Sequence, residues 1–276
     1  MNIISVLLDN VILGECPRWR RGELWFADWA AETIVAVSSD GDSRVVVKVP
    51  SLPISFDFDS DGTCYIVNAS AKRLQILRSD QLFDFASLED APFGYNEIVI
   101  DDAGHIFINN INFDFPGGTF QPGFISLVRP DGAVVRQAGD LAFPNGMVVT
   151  PDGGTLICAE SFNGNLTAFD IEKDGSLANR RLWAAIDGQG ADGICMDSEG
   201  AIWASSGPRC IRIAEGGSVL DEIPLDRMAF GCMLGGDDGK TLYICANEWT
   251  GSVEVDAPAG RVYSTRVAEP KAGFPR

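Results

Sequence analysis

The stretch FPNGMVVTPDGGTLICAE, residues 143–160, decides the fold. Met147 to Thr150 form an apolar, β-branched run that ends in a Pro-Asp-Gly-Gly turn, and Thr155 to Cys158 form a second run. Two such runs joined by a glycine turn read as a β-hairpin, because glycine supplies the positive φ that a tight turn requires. An amide, Asn145, stands directly ahead of the first strand, held between Pro144 and Gly146.

The hairpin recurs along the chain. ECPRWRRGELWFAD (15–28), ISFDFDSDGTCYIVN (54–68), NEIVIDDAGHIFINN (96–110), DGICMDSEGAIWASS (192–206) and GCMLGGDDGKTLYICAN (231–247) share its pattern. The turn glycines Gly22, Gly62, Gly104, Gly153, Gly200 and Gly239 are separated by 40, 42, 49, 47 and 39 residues. Strand-only repeats of this length are propeller blades. Each repeat has a second half, such as FISLVRPDGAVVRQ or CIRIAEGGSVLDEI, that adds two more strands. The last repeat runs out after GRVYSTRV (260–267), so residues 4–8 are expected to supply its missing outer strand and close the ring. No helical period of useful length occurs. The whole chain, 1–276, therefore reads as one all-β domain, a six-bladed β-propeller with four antiparallel strands per blade. A sandwich would not need this period, and a (β/α)₈ barrel would need helices.

Composition narrows the class of function. There are 21 basic and 39 acidic residues, a net charge of −18, with no basic cluster. Such a chain repels nucleic acid and anionic membranes, so the expected partner is a small-molecule substrate, met by a monomer or weak homo-oligomer. The seven cysteines are irregularly spaced and form no CxxC pair, which speaks against a zinc–thiolate site. Cys158, Cys195 and Cys245 lie within apolar runs, as small core residues do. The N-terminus lacks a basic start and meets Asp9 early, so the expectation is a reduced, soluble, cytoplasmic protein.

The question of Asn145 is answered by phase. The innermost strands of all blades run the same way, so their first residues form a ring at one mouth. Counting eight residues back from each turn glycine gives Ile54, Asn96, Asn145, Asp192 and Gly231; seven back from Gly22, whose turn is shorter, gives Glu15. Two carboxylates and two amides then converge on the axis. Asn-Gly and Asp-Gly are common turn pairs taken singly, but in the same phase of several repeats they compose an oxygen-rich site for a hard divalent cation. Ca²⁺ suits such donors, with Zn²⁺, Mn²⁺ and Mg²⁺ as alternatives. The single histidine, His105, lies beside a turn glycine and belongs to the opposite mouth, which leaves no Ser–His–Asp triad. The loop INNINFDFPGGTFQPG and the loop NEWTGSVEVDAPAG are long enough to serve as lids over 111–122 and 248–259, with Phe113 and Trp249 as pocket walls or simple loop packing.

At LGECPRW, FPNGMVVTPDG and DGICMDSEGAIW the chain resembles the senescence marker protein / gluconolactonase / luciferin-regenerating enzyme family, in the right order and over essentially its full length. The resemblance implies a six-bladed propeller with one divalent cation, whose Glu, Asn and Asp ligands fall on Glu15, Asn145 and Asp192. It places a substrate-side Asn on Asn96, with Glu97 where the family usually carries Asp. It implies hydrolysis of lactones, while relatives hydrolyse organophosphates. On that footing the expected enzyme is a metal-dependent, gluconolactonase-like hydrolase. Asp192 is its general base toward water, and Asn96 and Asn110 hold the substrate's ring oxygens. A phosphotriesterase-like hydrolase, a non-enzymatic binding scaffold, and a lyase using Glu160 or Glu248 as acid are the rival readings.

Overall fold

The computed structural model describes residues 3–188, 190–249, 251 and 258–275. All regular elements among them are β-strands, gathered into six sheets around a central channel. The innermost strands are Gly14–Arg20, Ile54–Phe58, Ile98–Ile100, Pro144–Val149, Ile194–Asp197 and Met228–Gly235. From each of the first five the chain passes outward through three further antiparallel strands, and from the sixth through two. The turn glycines all have φ between 70° and 88°, a conformation that L side chains resist. The period in the sequence is thus a period of obligatory left-handed turns.

Ring closure follows the expected route. Ser5–Val11 forms the outer strand of the last blade, with Ser5 opposite Ser264 and Val11 opposite Gly260. The N-terminal strand thereby completes the last blade and closes the ring.

The C-terminal tail differs from the sequence reading, which gave it no place. Lys271–Ala272 adds a two-residue strand to the inner edge of the fifth blade, pairing with Met196 and Asp197. Phe274 continues across to bridge Val149 of the fourth blade and is buried in the core there. A strand this short carries no periodicity to detect.

The core lies between neighbouring blades. Val148, Ile157 and Ala168 of the fourth blade pack on Ile194, Ile202 and Ile211 of the fifth, all buried. Apolar alternation along the strands puts one row of side chains on each inter-blade face. Truncating one of the large ones, such as Ile157, to alanine costs about 2–5 kcal/mol. All seven cysteines are buried free thiols.

Candidate functional site

The glycines beside the ring residues explain how the site is assembled. A Cβ on Gly146 would lie 2.7 Å from the Asp192 carbonyl oxygen and from the Ile194 nitrogen. One on Gly193 would lie 2.7 Å from the Cα of Gly231. Neither residue has positive φ. Asn-Gly and Asp-Gly are therefore not turn pairs here. Their glycines let adjacent inner strands touch, and the contact is hydrogen-bonded: Gly146 N–H donates to Asp192 O (3.2 Å) and Gly193 N–H to Phe230 O (2.7 Å). Backbones in contact bring the side chains of Asn145 and Asp192 together at the mouth.

Blade one reaches the same point by another device. In a regular strand, residues three apart point to opposite faces. A bulge between Glu15 and Arg18, with Cys16 at φ 50°, breaks that alternation. Glu15 lines the mouth, while Arg18 lies buried beside Asp57 and Glu97. Blade two has no such bulge, and Ile54 at its ring position is buried in the core.

Glu15, Asn96, Asn145 and Asp192 all line one cavity of about 530 Å³, a size typical of small-molecule sites. Its floor is electrostatically unusual. Burial pushes the Glu15 carboxyl well above the ordinary carboxylate range, and repulsion from Asp192 and Glu97 adds to this. Burial likewise raises Asp192, with Glu97 adding to it and a hydrogen bond from the Asn145 side chain opposing it. Asp192 Oδ1 is shielded from solvent and has no hydrogen-bond partner. Asn145 is fixed from both ends: its Nδ2 donates to Ser161 Oγ (3.3 Å) and its carbonyl accepts from Asn109 Nδ2 (2.6 Å). Among the described residues no three His, Cys, Asp or Glu side chains converge as a metal-binding group. The ring has two carboxylates, and its remaining donors are amide oxygens. That all-oxygen set, with an orphaned carboxylate oxygen on Asp192 and a Glu15 carboxyl raised by Asp192, fits a hard divalent cation and not a soft one.

Below the ring lies a charge network that the sequence reading missed. Arg18 Nε approaches Asp57 Oδ1 (3.4 Å) and its Nη2 approaches Glu97 Oε2 (3.7 Å), with all three side chains buried. Arg18 Nη2 also donates to Ile98 O (2.9 Å), and Asp57 Oδ2 accepts from Ile100 N–H (2.8 Å). Burial lifts Glu97 to about 6 even so.

The walls are aromatic. Phe113 is buried and meets Phe115, Phe143 and Phe162 at centroid distances of 6.1, 5.8 and 5.8 Å. Phe143 and Phe162 stack at 4.6 Å, and Trp249 meets Phe230 at 5.6 Å across the mouth. Phe113 and Trp249 both line the cavity, as do Ile111, Asp114 and Phe115 of the loop 111–122. Of the second loop, 250 and 252–257 lie outside the described residues, and the lid reading for 248–259 falls largely on them.

Asn110 is a correction to the sequence reading. Its side chain is fully buried and does not line the cavity. It donates to Gly94 O and accepts from Asn112 N–H (2.6 Å), bracing two loops. Its neighbour Asn109 points the other way, toward Asn145. Glu160 and Glu248 are also engaged away from the cavity: Glu160 accepts from Ala142 N–H (2.6 Å), and Glu248 pairs with Arg227 (3.3 Å). His105 is paired with Asp101 (2.8 Å) and does not line the cavity.

A 6-deoxy-6-sulfogluconolactonase from Pseudomonas putida is 29% identical, over 98% of this chain and 96% of that protein. Regucalcin from Xenopus laevis is 28% identical, over 88% of this chain and 86% of its own. The solved luciferin-regenerating enzyme superposes with a TM-score of 0.83 at 18% identity, covering 99% of this chain and 97% of that one, a likeness of fold. The model of the SMP-30/Gluconolactonase/LRE-like region matches residues 13–248, and the chain belongs to that family.

Proposed function

We propose that the chain is a divalent-cation-dependent hydrolase that opens lactones. The observation that carries this reading is the floor of the cavity. The buried Glu15 and the half-buried Asp192 repel each other there, and Asp192 Oδ1, shielded from solvent, has no hydrogen-bond partner. Uncompensated buried charge is expensive, so such a pair is built to share a cation. Glu15, Asn145 and Asp192 would hold it, with Ca²⁺ as the best match to their oxygens. When bound, the cation supplies Lewis-acid polarisation of the substrate carbonyl.

The side chains do the rest. Asp192 takes a proton from the water that attacks the carbonyl carbon, then returns it to the ring oxygen as the acyl–oxygen bond breaks; the product is a hydroxy acid. Asn145 steadies Asp192 through its amide and is itself held by Ser161 and Asn109. Asn96 stands on the same floor, where its amide can donate to a substrate oxygen. The aromatic walls reduce water around the reacting groups, which strengthens each of these interactions. The names of the curated relatives, a sulfogluconolactonase and a regucalcin, support both the lactone and the cation. The test is turnover of a lactone panel by purified protein with Ca²⁺. Hydrolysis that stops on chelation and returns with the cation is expected. Turnover unaffected by chelation, or confined to phosphotriesters, contradicts the reading.

A further inference from the structure

Resting on the lactonase reading of this cavity, we infer that the substrate is a neutral lactone carrying an alkyl or aryl substituent, and that Phe113, Phe115, Phe143 and Phe162 receive that substituent.

Three observations lead there. The first is the wall itself. Among the described residues nine aromatics line the cavity, and those at its rim are open to solvent: Phe162 is 54% exposed, Phe93 49% and Phe115 37%. Large aromatic side chains gathered at one mouth, in mutual contact, make an apolar surface that a ligand would cover. The second is the distribution of polar groups. Glu15, Asn96, Asn145 and Asp192 sit together at the floor and are taken up by the cation and the reacting ester. Beside the phenylalanines, among the described residues, only Asp114 and Ser161, the latter already bonded to Ala191 O and Asn145, offer polar side chains, too few for a row of hydroxyls, and a hydroxyl buried against the rings would lose its bonds to water. The third is charge. Among the described residues the lining has three acidic side chains, Glu15, Asp114 and Asp192, and no Lys or Arg. The chain as a whole carries −18. A substituent bearing carboxylate, phosphate or sulfonate would meet repulsion and find no counter-ion.

The reacting ring therefore sits on the polar floor, and its substituent lies along the phenylalanines. Each methylene buried there is worth roughly a factor of three to four in binding. The wall discriminates in kcat/KM only as far as it also holds the transition state.

Three five-membered lactones separate the possibilities: γ-butyrolactone, γ-nonalactone with its pentyl chain, and polyhydroxylated D-ribono-1,4-lactone. The expected kcat/KM for γ-nonalactone exceeds both others by about 30-fold or more. In the double variant Phe115→Ala/Phe162→Ala, whose sites are partly exposed, the ratio of γ-nonalactone to γ-butyrolactone falls about tenfold. Calorimetric binding of 5-pentyl-2-pyrrolidinone against 2-pyrrolidinone, lactams of the same shape that resist hydrolysis, reads the wall without turnover. A tighter pentyl lactam whose advantage disappears in the double variant supports the inference even if no lactone is opened; in that case the hydrolase reading alone fails. A preference for ribonolactone overturns the inference. So does a pentyl chain that gives no gain in either measurement, or a gain that survives in the double variant.

Discussion

Four carboxylates, Asp57, Glu97, Glu15 and Asp192, gather at the inner strands, and they are treated differently. Asp57 and Glu97 lie beside Arg18, and Asp57 also accepts a backbone N–H. Glu15 and Asp192, at the mouth, face each other with no Lys or Arg among the described residues lining their cavity. Both groups need positive charge in a place that water hardly reaches. The chain supplies it to the lower group through a side chain that cannot leave. Arg18 also eases Glu15 from a distance, but the upper group has no cationic side chain among the described residues lining its own cavity, which suits a cation drawn from solution. In the proposed function the lower group is structural, and the upper one is the group that holds the cation and does the chemistry.

The difference can be broken at either level. The largest effect is expected at the upper one. Asp192→Asn keeps an oxygen donor but removes the proton acceptor, so kcat on the best lactone should fall by about 10²–10⁴ with cation binding partly retained. Wild-type kcat in this variant would mean that Asp192 does not handle the proton. At the lower level, Arg18→Met leaves Asp57 and Glu97 without their cation. Urea denaturation should show a loss of about 3–5 kcal/mol, the usual cost of breaking a buried pair on one side. A loss below about 1 kcal/mol would show that the two carboxyls are neutral and that Arg18 is not their counter-charge.

A smaller effect sharpens the contrast through pH. The Glu15 and Asp192 carboxyls hold their protons well above the ordinary range when no cation is bound. Their protonated forms therefore favour the fold at pH values below about 4, and that contribution is lost as the pH climbs through the raised values. A cation competes with those same protons. The rise in Tm produced by a fixed Ca²⁺ concentration should thus be larger at pH 8 than at pH 5. An equal rise at both would place the cation elsewhere.

Much of this was legible in the sequence, for definite reasons. The turn glycines are forced by backbone conformation, so their spacing reports the blades directly. Asn145 and Asp192 could be placed at one mouth because identical strand starts must fall in identical phase, and both line the cavity there. Other features were hidden by the alternation of strands. Asn109 and Asn110 are adjacent, and the sequence does not say which faces the channel; the structure sends Asn109 toward Asn145 and turns Asn110 to brace loops. Arg18 sits three residues beyond Glu15, and only the bulge at Cys16 places both toward the channel. A signal did exist: Arg18 and Asp57 are charged residues at the same offset from their ring positions in the first two inner strands. Beside charged turns such as SDG they look like solvated surface. The tail strand at Lys271–Ala272 was beyond reach, because its partners are inner strands that appear complete without it.

The central claim is that Glu15 and Asp192 form, with Asn145, a single cation site. Calorimetric titration of Ca²⁺ into chelator-stripped protein tests it most directly, with Glu15→Gln titrated alongside. The account predicts one equivalent bound by the natural chain and at least tenfold weaker binding by the variant. Absence of Ca²⁺ binding, or binding that Glu15→Gln leaves unchanged, would contradict it.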